Sequence, residues 1–139
     1  MDLALREGAK LVLGGARVGK RGFFVEPTIF ANVRNSMTIA QEEIFGPVLS
    51  VIKFKDEADA VAQANDTSYG LAAAVWTRDA SRAHRMMRAI RSGRVWINTY
   101  AEGDPVMSIG GYKQSGYGRE MGVESIDAYT QTKSVLMRL

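Results

Sequence analysis

The chemistry in this chain concentrates at Gln41-Glu42-Glu43-Ile44-Phe45-Gly46-Pro47-Val48, where a carboxylate, an aromatic ring and a Gly-Pro break precede the β-branched run Val48–Phe54. Glycine at 46 permits backbone angles closed to other residues, and proline at 47 stops a preceding helix while tolerating the first position of a strand. Such a corner would hold Glu43 at the mouth of a strand as an acceptor for hydroxyl hydrogen bonds, with Phe45 as a flat apolar surface. The same string also reads as a buried turn with a solvated Glu, and local chemistry does not separate the two.

Other reactive groups are sparse. The chain has no cysteine, so it offers no thiolate nucleophile, disulfide or thiolate metal site, and its one histidine, His84, leaves a zinc site short of nitrogen and sulfur ligands. Gly14–Lys20 fits the Gly-x4-Gly-Lys spacing of a phosphate loop, yet Arg21 stands where a Ser or Thr would hold magnesium, and Gly22–Pro27 cannot continue as a helix. Gly116–Gly122 has the wrong spacing for a dinucleotide fingerprint and reads as a tight turn. Arg82, Arg85, Arg88 and Arg91 recur at helical steps, which raises nucleic-acid binding as an alternative. Ala83, Met87 and Ile90 mark an apolar face on the same helix, and no aromatic residues interleave with the arginines, so the stripe reads as a solvated or salt-bridged face.

The elements that must position these groups alternate between strand and helix. Residues 2–8 read as helix and 10–13 as strand, followed by a glycine-rich turn over 14–22 and short extended runs around 23–25 and after Pro27. Residues 48–54 form the clearest strand. Asp56 caps a helix over 57–65 whose face is Ala58, Val61, Ala62 and Asn65. A strand follows over 71–76, then a helix opened by Asp79 or Ser81, running to Ile90 and stopped at Ser92-Gly93. Strand 94–98, a long loop 99–118, helix 121–128 and a last strand 132–137 complete the chain. This order predicts an open, mostly parallel α/β sheet, with ligands outside the carboxyl ends of its strands, where the loop after Asn98 falls.

Several separate blocks then point one way. The corner Gln41–Val48, Asn65–Thr77 (NDTSYGLAAAVWT), Val95–Tyr100 (VWINTY), Gly110–Glu120 (GGYKQSGYGRE) and Tyr129–Lys133 (YTQTK) resemble segments of the NAD(P)-dependent aldehyde dehydrogenases, as do Glu7–Gly15 and Phe24–Thr28. The resemblance implies that Glu43 bonds the nicotinamide-ribose hydroxyls of NAD or NADP and that Phe45 packs beside the nicotinamide. It implies that Thr99, Tyr100 and the stretch to Ile109 line the aldehyde path. The position of Ile109 is commonly aromatic in the family, so its pocket here is less π-rich, which counts against an aromatic cage for a quaternary ammonium. Glu102 and Asp104 lie in the same loop and could attract a cationic aldehyde, although acidic loop residues are usually just solvated.

Family chemistry runs through a cysteine thiolate, a hemithioacetal, hydride transfer and a thioester, and this chain has no such cysteine. The resemblance places the nucleophile, the general-base Glu and the dinucleotide-binding domain upstream of the matched region. The expectation is therefore a C-terminal piece: residues 1–128 as part of the catalytic domain, 129–139 as an oligomerisation strand, with no catalytic residue and no metal of its own. Implied partners are a small aldehyde and further copies of the chain, not nucleic acid or membrane. Composition agrees: 139 residues at 46% hydrophobic content supply one core, and a net charge of +3 is mild. No apolar run reaches the roughly 20 residues of a membrane span, and no signal-peptide pattern opens the chain, so a cytoplasmic protein is expected. A non-catalytic interaction module keeping the same fold is the alternative.

Overall fold

The computed structural model describes residues 1–139 and divides them into two units, Met1–Asp66 and Thr67–Leu139. In the first, α1 (Asp2–Arg6), β1 (Lys10–Leu13), β2 (Thr28–Ala31), α2 (Thr38–Gln41), β3 (Val48–Ser50) and α3 (Glu57–Asn65) follow in order. The sheet runs β1-β2-β3, with β1 antiparallel to β2 and β2 parallel to β3. Its centre is Phe30, which is fully buried and clusters with Ala4, Ala9, Val33 and Met37, while Ile39, Val48 and Ile52 pack against them. Thr28 is the one buried polar residue, and both roles of its hydroxyl are used: it donates to the Glu26 carbonyl (2.8 Å) and accepts from the Gly15 amide (2.9 Å).

The starts of α2 and α3 are satisfied by side chains. Asp56 caps α3 by accepting from the Asp59 amide at 2.9 Å, as its type and position predict. Asp59 in turn accepts from the Lys55 amide at 2.8 Å, and its hydrogen bonds from Gln63 and then Lys55 hold its carboxyl below the usual range. The short helix α2 has no cap of its own. The distant Glu7 carboxylate supplies one, taking the Thr38 amide at 2.9 Å and its hydroxyl at 2.7 Å. No residue of α3 is fully buried; on its anticipated apolar face Val61 and Asn65 are half-buried, while Ala58 and Ala62 are exposed.

The second unit contains β4 (Tyr69–Gly70), β5 (Ala72–Val75), α4 (Ala80–Ala89), β6 (Arg94–Ile97), β7 (Tyr112–Lys113) and a 3-10 helix over Val123–Tyr129. β5 and β6 are parallel and joined by α4, the β-α-β crossover that the strand-helix alternation requires. Asp79 rather than Ser81 caps α4, accepting from the Arg82 amide at 3.0 Å. Its inward face is Met86 and Ile90 with Ala83 half-buried, whereas Met87 stays 38% exposed. The anticipated face was one residue out at Met87.

The expected single open sheet is replaced by three small ones, β1-β2-β3, β4-β7 and β5-β6. β3 finds its partner in β2, and its ladder stops at Ser50 because pairing, not β-branched composition, defines a strand's length. The strand expected over 132–137 does not form for the same reason: residues 130–139 are exposed and no strand of the chain pairs with them. The short helix expected over 121–128 forms as a 3-10 helix over Val123–Tyr129, and the presumed loop 99–118 contains β7.

Gly93 also plays a part other than the one expected. α4 ends at Ala89 with Ile90 extended, so Gly93 is not its terminator. A Cβ on Gly93 would lie 1.6 Å from the Gly110 carbonyl oxygen, so glycine is required there for close backbone approach. The whole chain exposes 11043 Å² at a mass of 15.2 kDa. Two separate folded units of half that mass would together expose about 8,500 Å². The surplus includes strand residues such as Val12, Leu13 and Leu49, each more than half exposed. Gly93→Ala should lower stability by about 1–3 kcal/mol or more, since the obstacle is backbone and cannot rotate away. Urea unfolding of the chain measures this, and an unchanged midpoint would contradict the close approach.

Candidate functional site

The corner after α2 is pinned at both ends. The Glu42 amide donates to the Thr38 carbonyl at 2.8 Å, and Glu42 is already extended. Beyond it the Val48 amide donates to the Gly46 carbonyl at 2.8 Å, closing a three-residue turn about Pro47. The Pro47 carbonyl accepts from the Thr28 amide at 2.8 Å, which fastens the corner to the first residue of β2. Gly46 is not in the left-handed region that glycine permits. Phe45 is, at φ +53, while a Cβ on Gly46 would meet nothing nearer than Ile44 at 4.0 Å. An aromatic residue in that region costs about 1–2 kcal/mol, and Phe45 recovers none of it by burial, being 88% exposed.

The turn is not buried, since Glu42 to Pro47 are all exposed, and Glu43 is solvated as either reading expects. Beside them lies a groove of about 140 Å³, where Glu42, Glu43 and Ile44 face Leu3, Ile39 and Val48. The corner presents an exposed carboxylate and an exposed ring, with the apolar groove beside the carboxylate.

The loop after β6 belongs to the second unit. Asn98, at φ +54, ends the strand and continues its ladder through its side chain: Oδ1 accepts from the Thr77 amide at 2.8 Å and Nδ2 donates to the Thr77 carbonyl at 2.9 Å. Thr99 is half-buried and Tyr100 is 70% exposed. Thr99 shares a cavity of about 350 Å³ with Trp96, Glu102, Asp104 and Met107. Ile109 lines a different one of about 510 Å³, with Leu71, Tyr117 and Tyr129. Its backbone is paired with Glu120 through two 2.8 Å hydrogen bonds. The loop is tied down further by the Gly122 amide on the Pro105 carbonyl (3.0 Å) and by the Ser108 hydroxyl, which donates to Glu124. That bond holds the exposed Glu124 carboxyl below its usual range.

The segment after Ile109 turns at 114–115 and is anchored to residues 67–70. The Gln114 amide donates to the Ser68 carbonyl (2.9 Å), Lys113 Nζ to the Thr67 carbonyl (2.9 Å), and the Gly70 amide to Ser115 Oγ (3.0 Å). The 14–22 segment is likewise a turn: Arg17 donates to the Gly22 carbonyl at 2.7 Å, and the next element is β2, not a helix. No group of His, Asp and Glu side chains is placed to hold a metal, and no helix is long and apolar enough to cross a membrane. Trp96 and Asn98, which shape the start of the loop, were not singled out from the sequence. Their signal was present in the block Val95–Tyr100, but without a role for either side chain.

The chain is an α/β protein with an exposed Glu43–Phe45 corner in its first unit and, in its second, a pinned loop beyond a parallel strand. The sequence model of the aldehyde dehydrogenase family matches residues 1–135. Aldehyde dehydrogenase 1 of Tanacetum cinerariifolium is 48% identical over 135 residues, covering 97% of this chain and 27% of that protein. Among solved structures, the indole-3-acetaldehyde dehydrogenase AldA of P. syringae, in complex with NAD+ and IAA, superposes with a TM-score of 0.94 at 51% identity, over 99% of this chain and 28% of its own. The aldehyde dehydrogenase KauB of Pseudomonas aeruginosa gives 0.94 at 52%, with the same coverage. The Mycobacterium tuberculosis aldehyde dehydrogenase complexed with NAD+ gives 0.91 at 52%, over 99% and 29%. The chain belongs to the aldehyde dehydrogenase family. It spans between a quarter and a third of the length of these relatives.

The strain at Phe45 is open to measurement. Phe45→Gly relieves about 1–2 kcal/mol of backbone strain and adds about 0.5–1 kcal/mol of chain entropy cost. Stability should therefore stay level or rise slightly, whereas an ordinary aromatic-to-glycine change destabilises. A marked loss in urea unfolding would show that the ring is packed, not presented.

Proposed function

We propose that residues 1–128 are part of the catalytic domain of an NAD(P)-dependent aldehyde dehydrogenase and that residues 129–139 are its oligomerisation strand. The thiol nucleophile comes from sequence outside this chain. The observation that carries the reading is the corner: Glu43 and Phe45, held at a fixed turn and both exposed, in a chain whose relatives include two structures solved with NAD+.

In this reading the Glu43 carboxylate accepts hydrogen bonds from the nicotinamide-ribose hydroxyls, and the Phe45 ring packs beside the nicotinamide. The dinucleotide, when bound, supplies the hydride acceptor. The aldehyde carbon loses two electrons with that hydride and gains its second oxygen from water, leaving a carboxylic acid. Thr99, Tyr100 and Ile109 line the aldehyde's approach, Thr99 and Ile109 from separate cavities of the unit. The exposed terminal segment pairs with a strand of a neighbouring copy, which satisfies backbone groups that the chain alone leaves in water.

The corner alone is too weak to hold the cofactor. Two charge-assisted hydroxyl bonds contribute about 3–6 kcal/mol, comparable to the roughly 4 kcal/mol of millimolar binding before the cost of immobilising the dinucleotide is subtracted. The purified chain should therefore show no aldehyde-dependent NAD(P) reduction, and turnover above a blank free of host enzyme would refute this. In a full-length enzyme carrying the chain, Glu43→Gln should weaken ribose anchoring, because the amide loses charge assistance, and Phe45→Ala should slow hydride transfer in a single turnover. Parental rates and cofactor affinity in both variants would remove the assignment.

Assembly gives a separate test. With its strand-borne apolar side chains uncovered, the isolated chain should self-associate at micromolar concentration. Sedimentation that returns a single monomeric species with cooperative unfolding would instead favour a self-sufficient interaction module.

A further inference from the structure

We propose that Trp96 is the positioning residue of the substrate loop, fixing the path of Tyr100–Glu102 and through it the size of aldehyde admitted; the aldehyde part rests on the function proposed above. β6 carries Arg94 and Trp96 two residues apart, hence on one face. Asn98 at φ +54 and Ala101 at φ +60 turn the chain sharply after the strand. That turn brings the loop back over the indole. Trp96 Nε1 donates to the Glu102 carbonyl at 2.5 Å, and the Tyr100 ring lies 5.4 Å from the indole, tilted by 56°. The Arg94 guanidinium sits 5.6 Å from the same ring. One side chain outside the loop therefore holds a loop carbonyl by a directional hydrogen bond and a loop ring by an aromatic contact.

These contacts have a consequence for selectivity. The indole is the ring contact of Tyr100, whose side chain is otherwise 70% exposed, so its placement depends on Trp96. Thr99, Glu102 and Asp104 enclose their cavity together with Trp96 itself. A loop released from the indole would lose the shape of that wall while β6 and its parallel partner stay paired.

The test uses Trp96→Phe, which keeps a ring and removes the N–H donor. In this chain, backbone amides between Ala101 and Met107 should exchange about tenfold faster, the effect of one lost hydrogen bond, with amides of β2 and α3 unchanged. In the full-length enzyme the ratio of KM for an arylacetaldehyde to KM for acetaldehyde should change about tenfold, with kcat for acetaldehyde held within about twofold. Unchanged loop exchange overturns the proposal, as does faster exchange with an unmoved KM ratio. Should Trp96→Phe fail to fold, Tyr100→Leu alters an exposed side chain; loop exchange must rise there too, and no change overturns the proposal. Failure of the underlying function would show separately, as a wild-type full-length enzyme that oxidises no aldehyde.

Discussion

The second unit depends on one contact between two backbones: the carbonyl of Gly110 occupies the space that a side chain at Gly93 would need. Around it the Gly93 amide donates to the Gly70 carbonyl (3.0 Å) and the Arg94 amide to the Leu71 carbonyl (3.2 Å). A Cβ on Gly70 would lie 2.6 Å from the Arg91 carbonyl, so the approach is tight on both sides. Three segments far apart in sequence therefore meet without side chains between them. The long loop between Asn98 and Gly110 leaves from the end of β6 and returns to its beginning, with both ends fixed. Closing a loop at its base removes much of the entropy that would otherwise spread it over many paths. Only the span between the ends needs further ties, and Trp96, Gly122 and Glu124 supply them.

The first unit solves a different problem, that of holding a strained residue in water. Phe45 has an unfavourable backbone angle and an exposed ring, so nothing local favours its conformation. The restraint comes from the parallel pairing of β2 with β3, which begins at Thr28 opposite Val48, and from the Thr28 amide on the Pro47 carbonyl. Burial of Phe30 two residues along β2 anchors that pairing. Strain of this kind persists where surrounding structure over-determines it, and it gathers at sites that bind ligands.

Much of this was legible in the residues. Asp56 and Asp79 announce their helices because short carboxylates before an apolar-periodic run satisfy free amides, and both do so here. The strand-helix-strand order around α4 was equally plain, and so was the corner, because its residue types are unusual together. What escaped reading was long-range. β4 and β7 are two residues each, and only their pairing across more than forty positions makes them strands. α2 is a single turn capped by Glu7 from afar, which no local pattern reports. The left-handed step went to Phe45 rather than the adjacent glycine because the fixed ends of the corner, not residue propensity, select the angle. Gly93 read as a helix terminator since glycine has two uses, and sequence does not distinguish positive φ from close approach.

The large surface of the folded chain bears on its thermodynamics. A protein that already leaves 11043 Å² in water has less left to uncover when it unfolds. Heat-capacity increments and denaturant m-values both scale with newly exposed surface. Both should fall below the values ordinary for this length, giving a shallow stability curve and a broad transition. Covering the same strands with a neighbouring domain or subunit restores the missing area, so the sharpness of melting becomes a gauge of how much of the surface has found its partner.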